Sequence, residues 1–184
     1  MPDLVSFNMI HNQVKKLIDE GIVSNTGHAF NRVALRIILK LNDDEIEEAL
    51  TDGPDDGGID AIYIQNNSIN FCSFKYTYDY KNVNDNFPGK EIEQISNTIS
   101  KFITGSIKFD SYNRAIWDKY LEFKGMLEDG LTTINIHLAS NKAKPVELSK
   151  NKLESDMEKF RIVKEYYYDL DDLTNLMLSD KNKI

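Results

Sequence analysis

Apolar residues recur at three- and four-residue spacing near the start of the chain. Leu4, Phe7, Ile10, Val14, Leu17 and Ile18 make one stripe, which predicts an amphipathic helix over 3–20 ended by Gly21. Ser24-Asn25-Thr26-Gly27 then predicts a linker. Phe30, Val33, Ala34, Ile37, Ile38 and Leu41 predict a second helix from about His28 to Leu41, with Asn31 at the edge of its apolar face. Asn42-Asp43-Asp44-Glu45 has the order of a capping box, with Glu at the third helical position, and predicts a short helix to Leu50.

The period then changes to two. Asp60 to Ile64 and Ile69 to Lys75 predict two strands joined through Gln65-Asn66-Asn67-Ser68, where Asn66-Asn67 suits a type I′ hairpin turn. A two-residue turn sets the register: Ile64 opposes Ile69, Ile62 opposes Phe71 and Asp60 opposes Ser73. Residues two apart share a face, so Asp60, Ser73 and Lys75 should lie together on a face otherwise made of Ile62, Ile64, Ile69 and Phe71. A carboxylate and an ammonium among apolar neighbours are costly unless paired or in use. The placement therefore reads either as a half-buried Asp60–Lys75 ion pair or as a functional site.

Beyond the hairpin, 77–87 is polar and aromatic without period, with Tyr78, Tyr80 and Asn86. It reads as a loop, and its position directly after Lys75 predicts that it borders the same site. Pro88 suits the first position of a helix carrying Ile92, Ile95, Ile99, Phe102 and Ile103. Further elements follow: a helix over 111–127, a strand over 132–139, a helix over 145–160, a strand over 162–168 and a short helix capped by Asp169. His137 on the third strand reads as a hydrogen-bonded structural group. The order α-α-α-β-β-α-α-β-α-β-α predicts an α/β fold, a mixed central β-sheet flanked by helices, with the last two strands parallel through crossovers.

Length favours a single domain over 1–184, with 1–26 as N-terminal helix and linker and 179–184 as a flexible tail. The net charge of −8 argues against broad electrostatic binding of nucleic acid. It leaves room for a local basic groove, for which Lys81, Lys90 and Lys101 are the candidates. The single cysteine rules out an internal disulfide and suits a reducing, cytoplasmic setting. No apolar run approaches the roughly 18 residues that span a membrane, and no signal-peptide core is visible.

The string Thr51-Asp-Gly-Pro-Asp-Asp-Gly-Gly-Ile-Asp-Ala-Ile-Tyr-Ile64, followed by Phe74-Lys75-Tyr76, resembles the N-terminal region of the AIPR-type abortive phage infection proteins. Phe87-Pro-x-x-Glu-Ile92 and Tyr168-Asp-Leu-Asp-Asp-Leu173 fit the same pattern, and the likeness spans roughly 27–178. That region is similar to the PD-(D/E)XK, restriction-endonuclease-like fold. The resemblance implies a phage-defence nuclease-like domain performing metal-dependent phosphodiester hydrolysis of DNA or RNA. It implies Asp60 as metal ligand, Lys75 as catalytic lysine, the Phe74 backbone carbonyl as a further ligand and Mg²⁺ or Mn²⁺ as cofactor. Ser73 stands where the family has Glu or Gln, and Asn31 where its helix has Glu, so both could only orient water or bind metal weakly. Activity would be weakened accordingly, and the alternative is a catalytically inactive module that binds nucleic acid or a partner protein. A homo-oligomer, or further domains of a longer protein, fits either reading.

Overall fold

The computed structural model describes residues 3–130 and 133–181. Its elements follow the predicted order: α1 (Leu4–Asp19), α2 (Thr26–Leu39), α3 (Asp43–Ala49), β1 (Ala61–Gln65), β2 (Ser68–Lys75), α4 (Gly89–Thr104), α5 (Arg114–Asp129), β3 (Thr133–Ser140), α6 (Glu147–Glu158), β4 (Val163–Tyr168) and α7 (Leu170–Lys181). The expected tail begins later than its composition suggests, because Ser179 to Lys181 close α7. The rest of that tail, 182–184, lies outside the described residues, as does Thr132 of the predicted third strand.

Local chemistry explains the helix ends. Asp3 caps α1 through Ser6 N–H, Asn25 caps α2 through His28 N–H, and Asn113 caps α5 through Ile116 N–H. The capping box of α3 forms as expected, with Asn42 and Glu45 each satisfying the other's backbone N–H. Pro88 sits one position earlier than expected, as the N-cap of α4.

The four strands form one mixed sheet in the order β1-β2-β3-β4. β1 and β2 are antiparallel in the predicted register, with Ile62 opposite Phe71 and Ile64 opposite Ile69. β2, β3 and β4 are parallel neighbours. The turn differs from expectation: of its two residues only Asn66 has a positive φ, 55°. A type I′ turn needs two left-handed residues, whereas one at the first position is what a type II′ turn requires.

Alternation along the strands builds two cores. Ala61, Cys72, Phe74 and Ala139 pack under α1, α2, α3 and α7, around Phe30 and Leu35. Ile62, Ile69, Phe71, Ile134, Ile136 and Leu138 pack under α4, α5 and α6, around Phe102 and Phe123. The sheet is therefore sandwiched between helical layers, and β2 is buried along nearly its whole length. Among the described residues no helix is long and apolar enough to cross a membrane.

His137 is buried and structural in its contacts. Its Nδ1 meets the Tyr168 hydroxyl at 3.1 Å, its Nε2 meets Asn70 Oδ1 at 2.9 Å, and Tyr166 stacks on the ring. Burial pushes its pKa down to about 4.

Candidate active site

The glycine-rich turn between α3 and β1 is a closed loop rather than a loose tip. Its base is held by Thr51 N–H to the Asp60 carbonyl at 2.9 Å and by the Thr51 hydroxyl to the Ile59 carbonyl at 2.7 Å. Asp56 organises its interior, accepting from Gly58 N–H at 2.9 Å and Gly53 N–H at 3.3 Å. Two helices clamp it from outside. Thr98 of α4 donates to the Gly57 carbonyl at 2.7 Å, and the Asn113 side chain donates to the Thr51 carbonyl at 2.9 Å. Gly57 has φ +65°, and a Cβ there would lie 2.6 Å from Thr98 Oγ1 and 2.7 Å from Tyr112. Glycine is needed at this position both for its backbone and for the approach of α4.

This loop, the first turns of α2 and the end of β2 surround an open cleft of about 410 Å³. Asp60 reaches it from just before β1, and Phe74, Lys75 and Tyr76 from the end of β2. Asp52 and Asp56 come from the loop, and His28 and Asn31 from α2. The sequence thus placed Asp60 and Lys75 at one site, and both line the cleft. Ser73 does not line it. It lies two residues before Lys75 on β2, on the strand face that α4 covers, but is 2% exposed.

Of the two alternatives for this placement, the Asp60–Lys75 ion pair does not form. Lys75 Nζ instead meets Glu91 Oε1 of α4 at 3.0 Å, and Asp60 Oδ2 accepts from the Phe74 backbone N–H at 2.7 Å. Burial pushes the Asp60 pKa up to about 8. The Phe74 hydrogen bond and Lys75 oppose this, while the carboxylates of Asp56 and Asp52 add to it. Burial also raises the pKa of Asp56, against its hydrogen bonds from Gly58 and Gly53.

Asn31 is 6% exposed, and its side-chain N–H donates to Asp52 Oδ2 at 2.8 Å. His28 Nδ1 lies 2.5 Å from the same oxygen. Asp52 and His28 were not singled out from the sequence. Only the polar first turn of the second helix and the acidic turn signalled them, and they stand 24 residues apart. The loop over 77–87 does not line the cleft either. Tyr78 packs edge-on against His11, and Tyr80 against Phe7, both on α1. Lys81, Lys90 and Lys101 are also absent from the lining: Lys90 belongs to a groove between α4 and α6, and Lys101 lies over the Tyr112 ring.

Among the described residues no three His, Cys, Asp or Glu side chains are grouped as a metal cage. The oxygen donors of Asp60 and Asp56 suit Mg²⁺ or Mn²⁺ in kind, since Mg²⁺ is commonly held by one or two carboxylates with waters completing the shell. Compared with known proteins, the chain matches no family model, no curated protein and no solved structure.

Proposed function

We propose that the chain is a restriction-endonuclease-like domain of the AIPR type, acting in phage defence by metal-dependent hydrolysis of phosphodiester bonds in DNA or RNA. The observation that carries this reading is that Asp60, before β1, and Lys75, at the end of β2, open into one cleft. Asp60 with the Phe74 carbonyl would hold the divalent cation, with Asp56 at hand. When bound, that cation supplies Lewis-acid polarisation of the scissile phosphate. Lys75 donates to a phosphate oxygen and stabilises the negative charge that develops there. Asn31 orients Asp52 through its amide, and Ser73 supports the strand rather than the reaction.

A second reading is a nuclease-fold module that binds nucleic acid or a partner protein without cutting. It is favoured by the burial of Ser73 and by the use of the Asn31 amide N–H on Asp52, which leave the cleft with fewer ligands than the family pattern. Cleavage of single- and double-stranded DNA and of RNA, with Mg²⁺, Mn²⁺ or chelator, separates the two. Metal-dependent cleavage abolished by Asp60→Asn and by Lys75→Ala supports hydrolysis. Folded wild-type protein that binds these nucleic acids but leaves them intact supports the second reading.

A further inference from the structure

We infer that His28 is the proton-transfer residue of this cleft, with Asp52 and Asn31 as its positioning residues. This inference rests on the phosphodiester-cleavage reading above. His28 occupies the first turn of α2, where its backbone N–H is already satisfied by the Asn25 side chain at 3.1 Å. Its ring is therefore not needed as a cap. Nδ1 faces Asp52 Oδ2 at 2.5 Å, and a carboxylate oxygen accepts there, so Nδ1 carries the hydrogen. That tautomer leaves Nε2 with its lone pair as the nitrogen available to a substrate.

The carboxylate is itself held. Asn31 donates to the same Asp52 oxygen at 2.8 Å, so both partners from α2 fix the rotation of Asp52 and, through it, of the imidazole. The burial is graded in the direction a reactive dyad requires. Asn31 is 6% exposed, the Asp52 side chain 14% and the His28 side chain 45%. The orienting groups lie inside and His28 is the most exposed of the three; it lines the cleft that Asp60 and Lys75 line, and also the adjoining groove beside Ile22 and Val23. A histidine oriented by a carboxylate is a recurrent general base.

In the step inferred, His28 Nε2 takes a proton from the attacking water as the water oxygen bonds to phosphorus. The bond between phosphorus and the leaving sugar oxygen breaks. Solvent protonates that oxygen and takes back the imidazolium proton. One water is consumed, divided between the new phosphate and the new hydroxyl.

The test is cleavage of the same DNA and RNA substrates with Mg²⁺ by His28→Ala, His28→Gln and Asp52→Asn, with thermal unfolding run beside each. His28→Ala should lose on the order of 100-fold or more in kcat with KM little changed, the usual weight of a general base. Added imidazole should restore that rate in proportion to its concentration. His28→Gln, which can still donate to Asp52 but cannot accept the proton, should show the same loss, and it serves as the readout if the alanine variant does not fold. Asp52→Asn should lose less and gain nothing from imidazole. Wild-type cleavage that needs Asp60 and Lys75 but survives His28→Gln, or a loss in folded His28→Ala that imidazole does not relieve, overturns this inference and leaves the nuclease reading standing. Absence of wild-type cleavage overturns both.

Discussion

Lys75 is salt-bridged to Glu91, 3.0 Å away on α4, and not to Asp60 of the same cleft. Their side chains are 35% and 28% exposed, so water and salt screen the pair. Lys75→Ala and Glu91→Gln should each change stability by no more than about 1 kcal/mol, the ordinary weight of a partly exposed pair. Urea unfolding checks this. In the nuclease reading Lys75→Ala removes cleavage while the fold holds. A loss of several kcal/mol would instead mark the lysine as structural.

Asp60 and His137 give stability a pH profile with two regions. The raised pKa of Asp60, about 8, means that the folded chain keeps a proton which the unfolded chain releases above its ordinary value of 3.8. Its contribution is full below about 4 and is lost as pH rises toward 8. His137 has the opposite sign. Its depressed pKa, about 4 against an ordinary 6.5, contributes stability above 6.5 that is lost as pH falls toward 4. The two slopes oppose each other between about 4 and 6.5, and Asp60 alone acts from there to about 8. Asp60→Asn should flatten the alkaline slope and stabilise the chain at pH 8 relative to wild type. Thermal midpoints between pH 4 and 9 measure both, and an unchanged alkaline slope in Asp60→Asn would refute the assignment.

Gly57→Ala should destabilise the fold and disturb the cleft together. The new Cβ would meet Thr98 and Tyr112 inside 3 Å at a left-handed φ, so α4 or the loop must move. The cost should be about 1–3 kcal/mol, the usual range for overpacking. Gly21→Ala is the control. It has a similar φ, +70°, but open space around it, and should cost about 1 kcal/mol from backbone strain alone. Chemical unfolding ranks the two. Loss of cleavage should accompany only Gly57→Ala, whose loop carries Asp52 and Asp56.

Asn31→Asp would place a second carboxylate where the amide N–H now donates to Asp52 at 2.8 Å. Two facing carboxylates repel, and the Asp52 oxygen keeps only His28 of its two donors. A loss of about 1–3 kcal/mol is expected near neutral pH. Mg²⁺ or Mn²⁺ should recover part of it by bridging the two acids, read as a larger metal-induced rise in the thermal midpoint than the wild type shows with the same metal. No such difference would show that this corner of the cleft does not take a cation.

Patterns carried by near neighbours determined much of this protein. The order of elements followed from changes between helical and alternating period. The register of β1 and β2 followed from a two-residue turn, because a two-residue loop leaves one way to oppose Ile62 and Phe71. The co-location of Asp60 and Lys75 followed from that register, and the capping box of α3 from three adjacent positions. The tertiary structure decided what met across elements. The α4 helix docked on one face of the hairpin and delivered Glu91 to Lys75; α2 docked on the other and delivered His28 and Asn31 to Asp52. The same docking closed Ser73 under α4 and drew Tyr78 and Tyr80 away to α1. Strand and helix periods specify which face a side chain takes, because they are set by backbone geometry within a few residues. They do not specify which polar group from a distant helix will reach that face, since that depends on how two separately formed apolar surfaces pack together.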